Sequence, residues 1–162
     1  MKRVRSLLGS GGSAVGLFLC IFAALMSEAS GFDFSRYRPR MMKELIREYT
    51  AQIGLVITQD IPIRSKVTYS GEFRDLPADS RRLIAAWAET MNVPGPPQAF
   101  RRELKIVEAG SEYWVPVQEV LVPSMNSELR PKEEIELFMI YLGQVDGRHI
   151  FFVNEFGHES PH

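Results

Sequence analysis

The densest apolar patterning lies between Glu133 and Phe156. Two runs rich in aromatic and branched residues, about Ile135 to Leu142 and about His149 to Phe156, read as strands. Gly143 and Asp146-Gly147 punctuate the join, and such residues tolerate the positive φ of tight connections. The first arm does not alternate cleanly. Ile135, Leu137, Met139 and Tyr141 face one way, and Phe138, Ile140 and Leu142 the other. A strand apolar on both faces is normally covered on both, so this hairpin is predicted at the centre of the core. Burial of Phe152 would then make Phe152→Ala cost roughly 3–5 kcal/mol.

Upstream, Met42, Leu45, Ile46, Tyr49 and Ile53 recur at helical spacing and predict a helix over about 41–52, ended by Gly54. Residues 55–74 read as extended chain, with Pro62 implying an edge, a bulge or a break. One bent strand and two short strands both fit. Leu83, Ile84, Trp87, Ala88 and Met91 share one face of a second helix, for which Asp79 or Ser80 is the expected cap. Trp87 at that spacing is expected to pack in the core. Strands are predicted over about 100–107 and 112–122, and Pro116 and Pro123 imply that the second sits at an edge or ends in a bulge. Residues 124–132 read as a polar connection with room for one helical turn.

The predicted fold is α+β, with two helices packed on a mainly antiparallel sheet of about five strands. By topological analogy the sheet can curl into a small OB-like barrel, the oligonucleotide/oligosaccharide-binding kind; a flatter sheet is the rival. The expected organisation is a signal segment over 1–29, a linker or arm over 30–40, one domain over 41–157 and a tail over 158–162.

The N-terminal expectation changes the picture most. Lys2, Arg3 and Arg5 precede an uncharged apolar run from Ala14 to Met26, and Ser27-Glu28-Ala29 supplies small residues at the positions a signal peptidase reads. The run is shorter than the roughly 20 residues of a spanning helix. Cleavage after Ala29 is the expectation, with an uncleaved N-terminal anchor as the alternative. The single cysteine, Cys20, lies inside the run and is preceded by Leu17-Phe18-Leu19, which does not suit lipid attachment. The remaining chain would have no cysteine, so neither disulfide nor thiolate chemistry. That suits a bacterial periplasm or exterior. The whole chain has 19 basic and 20 acidic residues, and removing Lys2, Arg3, Arg5 and Glu28 leaves 16 and 19. Residues 36–105 carry 13 basic and 8 acidic residues, and residues 106–162 carry 3 and 10. Self-pairing of the two halves is the simpler reading of that asymmetry.

Candidate chemistry is sparse. His158, Glu159 and His162 match the H-E-x-x-H pattern of zinc peptidases, which needs both histidines on one helical face. Pro161 and Gly157 oppose that helix, so the match is read as accidental and no metal or cofactor is expected. His149 has no recognisable nucleophile partner and reads as a structural or surface histidine. Glu119, Glu133, Glu134, Glu136 and Glu155 offer carboxylates for a hydrolase, but sequence does not give their separation. No phosphate loop, nucleophile elbow or cofactor fingerprint is present. Arg101, Arg102, Tyr113, Trp114 and Tyr141 are the candidate binding residues, because aromatics and arginines supply contact energy at recognition surfaces. The expected function is an exported, non-enzymatic module that binds a protein partner or an envelope glycan, with nucleic acid not expected. A carboxylate- or metal-dependent hydrolase and a structural accessory subunit are the alternatives.

Overall fold

The computed structural model describes residues 32–93 and 97–158. The signal segment, residues 159–162 and the side chain of His158 lie outside the described residues, so the signal and H-E-x-x-H readings do too. Among the described residues there are three α-helices and six strands. In chain order they are β1 (Arg38–Pro39), α1 (Met42–Glu48), β2 (Leu55–Asp75), α2 (Ala78–Thr90), β3 (Phe100–Glu108), β4 (Ser111–Gln118), α3 (Val122–Glu128), β5 (Glu134–Val145) and β6 (Arg148–His158).

Closure depends on β2. Its residues Leu55 to Thr68 pair antiparallel with β5, and Thr68 to Asp75 pair antiparallel with β3. The ring continues from β3 to β4, from β4 to β6, and from β6 back to β5. Five strands therefore form a closed barrel within an α+β fold, consistent with a small OB-like barrel. The β4–β6 contact is parallel and rests on Val117 opposite Val153. One strand serves two neighbours only if it bends, and β2 has register breaks between Ile57 and Ile61 and between Tyr69 and Phe73. Pro62, expected to mark an edge, bulge or break, lies just past the first of these and opposite Ile140.

Alternation decides what fills the barrel. Ile63, Val67 and Tyr69 of β2, Leu104 and Ile106 of β3, Val115 and Val117 of β4, Leu137, Met139 and Tyr141 of β5, and Phe151 and Val153 of β6 belong to one buried cluster. Helix α1 adds Met42 and Leu45, and α3 adds Val122 and Met125. The outer face of the hairpin is covered as well. Trp87 of α2 packs on Phe152 at 5.4 Å, and Phe100 meets the same ring at 5.0 Å. The Trp87 indole donates to Asp60 at 2.6 Å, which satisfies its one polar atom. Phe34 and Tyr37 cover Phe138 edge-on, so residues 34–39 are an arm laid on the barrel. Gly143 allows β5 to cross β2 closely: its φ is +132°, and a Cβ there would lie 2.0 Å from the Val56 carbonyl oxygen.

Four expectations are corrected. The strand expected to reach Val122 ends at Gln118, and a third helix, α3, starts at Val122 and covers more than the one turn expected within 124–132; proline in a first helical turn sacrifices no bond. The α2 cap is Pro77, not Asp79 or Ser80. The first helix ends at Glu48 rather than near Gln52. Strand β6 runs to His158, past the expected boundary, because it pairs with Ile135 there. From Phe34 on, the described residues form one compact unit, and no helix among them is long and apolar enough to cross a membrane.

Candidate functional site

Strand β3 alternates about two buried neighbours, Leu104 and Ile106, so Glu103 and Lys105 face outward. Opposite them on β4, Tyr113, Val115 and Val117 pack inward and Trp114 faces out, with Trp114 in register with Lys105. On β2, Arg74 is in register with Glu103. The outer face of β2, β3 and β4 therefore gathers Arg74, Glu103, Lys105 and Trp114.

Glu103 is the anchor. Its side chain is fully buried although it lies on the outer face. One oxygen accepts from Arg74 Nε at 2.9 Å and Arg74 Nη2 at 2.6 Å. The other accepts from the buried Ser80 hydroxyl of α2 at 2.9 Å and from Arg148 Nη2 at the start of β6. Ser80 thus ties the helix to the sheet instead of capping it. Arg74 continues across β3 and sets its guanidinium 4.1 Å from the centre of the Trp114 ring. Held by a two-point ion pair and a ring, that side chain has little rotamer freedom left to lose. Beside it, Lys105 Nζ lies 3.1 Å from Glu112 and 3.6 Å from Glu72. The Glu112 hydrogen bond raises the ammonium above its ordinary value.

The five candidate residues do not form one cluster. Trp114 is half-buried on the outer face. Tyr113 packs against the interior cluster, as its neighbouring position on a strand dictates. Tyr141 is wholly buried and offers a ligand no surface; its ring stacks on His149, and its hydroxyl meets His149 Nδ1 at 2.9 Å. Burial pushes the Tyr141 phenol up to about 12 and lowers His149 below its ordinary value. Arg101 is exposed at a register break, and Arg102 makes a two-point pair with Glu119 at 3.1 and 2.7 Å. That pair, with desolvation opposing it and Arg101 adding attraction, holds Glu119 below the usual carboxylate range.

The other acidic candidates are dispersed. Glu136 lies 3.8 Å from Arg64, Glu133 accepts from the Arg130 backbone, and Glu155 accepts from the Phe156 backbone. Among the described residues, no group of three or more His, Cys, Asp or Glu side chains could hold a metal ion. The residues missed from sequence are Arg74, Glu103 and Arg148. A strand-period reading of β3 would have flagged Glu103, but nothing local connects it with Arg148. No protein-family model matches the chain, and no curated protein is significantly similar to it.

Proposed function

We propose that the protein is an exported, non-enzymatic module that binds an envelope glycan on the outer face of β3 and β4. The observation that carries this is the Arg74 guanidinium fixed 4.1 Å over Trp114 and tethered to a buried carboxylate. Arg74 covers one face of the ring; the indole surface it leaves uncovered, next to oriented donors, suits sugar recognition, because the apolar face of a pyranose packs there and its hydroxyls take the hydrogen bonds. Preorganisation lowers the entropy lost on binding. In OB-like barrels the corresponding second and third strands carry the ligand face, and β3 and β4 hold those positions in this ring. Export rests on the basic start, the apolar run and the small residues before Ser30.

The test is co-sedimentation of the purified protein with isolated, protein-free envelope glycan. Wild-type protein is expected in the pellet and Trp114→Ala in the supernatant. Equal sedimentation of the two overturns the site. Retention on envelope proteins but not on glycan identifies a protein partner instead. N-terminal sequencing of exported material is expected to begin at Ser30; an intact Met1 start in the exported fraction overturns cleavage.

A further inference from the structure

The tether at Glu103 has more positive charge than it consumes. Two guanidiniums share one carboxylate, so the Glu103 cluster itself carries one positive charge in excess, while the adjoining Lys105 with Glu72 and Glu112 carries one negative charge in excess. Glu103 engages Nε and Nη2 of Arg74 and Nη2 of Arg148. Among the described residues, Arg74 Nη1 and the Nε and Nη1 of Arg148 keep their donors for another acceptor. The Arg74 and Arg148 side chains are 42% and 36% exposed, whereas Glu103 is 0% exposed. Solvent, or a ligand, therefore reaches the cations and not the anion that aligns them. Like charges held together on one anchor favour a second anion, and guanidinium edges match the two oxygens of a planar or tetrahedral oxyanion. Lys105 does not compete for this ligand, since Glu72 and Glu112 already flank it.

We propose that Arg74 and Arg148, aligned on Glu103 beside Trp114, form an oxyanion site, and that the saccharide it serves is acidic, carrying a carboxylate or a phosphate. The inference rests on the glycan-binding reading and narrows its substrate class. The part of the Trp114 indole that Arg74 leaves uncovered takes a sugar face, and the paired arginines take the acidic substituent.

The experiment is calorimetric titration at low ionic strength with four probes: trigalacturonate, uncharged maltotriose, inorganic phosphate and acetate. Trigalacturonate is expected to bind about tenfold or more tightly than maltotriose, as one well-placed charged contact allows. Arg148→Gln should abolish that preference while its thermal unfolding stays cooperative. Arg148→Lys, which keeps charge but not the fork, should retain part of it. Phosphate or acetate as the stronger competitor identifies the preferred substituent. Equal affinity for the charged and neutral trisaccharides, or a preference that survives Arg148→Gln, overturns the oxyanion site, as does the absence of any anion binding. Maltotriose binding that is lost in Trp114→Ala, with no anion preference, overturns only this inference. Arg148-dependent phosphate or acetate binding without saccharide binding keeps the oxyanion site and overturns the glycan reading.

Discussion

Glu103 and Glu108 stand five residues apart on one strand, are equally buried, and do opposite things. An odd separation on a strand puts them on opposite faces. Glu108 points inward and is met by neutral donors: the Met42 backbone N–H at 2.9 Å, the Lys43 backbone N–H at 3.3 Å and the Ser65 hydroxyl. It closes the first turn of α1, where unpaired N–H groups favour a carboxyl. Glu103 points outward and is met by two arginines and Ser80. A carboxyl surrounded by neutral donors completes the interior. One surrounded by half-exposed cations orders a surface. Burial alone does not tell an acid that completes the interior from one that orders a surface; the exposure of its partners does.

The comparison breaks most visibly at Glu108. Glu108→Ala would leave two backbone N–H groups and a hydroxyl without their acceptor inside the barrel, at a cost of about 3–4 kcal/mol in urea unfolding. Glu103→Gln removes the charge but keeps one acceptor, and water reaches both arginines. Its expected cost is about 1–2 kcal/mol. Arg148→Gln is smaller again, within about 1 kcal/mol, because the pair is partly solvated and Arg74 still holds Glu103. Glu103→Gln costing more than Glu108→Ala would reverse the assignment of the two acids.

Much of the core was legible in the sequence, and much of the site was not. The two-faced apolar pattern of 135–142 named a strand covered on both sides, and Phe138 and Met139 are both buried. Trp87 at helical spacing read as core and is 5% exposed. Closure was only an analogy, because local periodicity says nothing about β2 serving two neighbours. Helix α3 is longer and starts earlier than the single turn expected within 124–132, because Pro123 is a first-turn residue and not the mark of a strand edge or bulge. At the candidate face, period two alone separates Tyr113 from Trp114. The meeting of Arg74, Glu103 and Arg148 brings together residues from three strands, and no spacing along the chain records it.

Acid offers the finest separation of interior from surface. His149 packs against the buried Tyr141 ring, which also meets Tyr49 at 5.2 Å. Burial disfavours the imidazolium, so the folded-state pKa lies below the ordinary 6.5. The unfolded chain then binds the proton more readily, and stability falls with falling pH. The contribution is fully present above about pH 6.5, declines as pH drops below it, and levels off once the folded histidine also protonates. The urea midpoint of the wild type is expected to fall between pH 7.5 and 5.5 by a small, measurable amount, and His149→Gln should flatten that slope. Arg148→Gln should keep the slope intact, since it leaves the Tyr141 contact of His149 in place. A slope that vanishes in Arg148→Gln but persists in His149→Gln would place the titrating group on the outer face and undo the division between the two sides of the barrel.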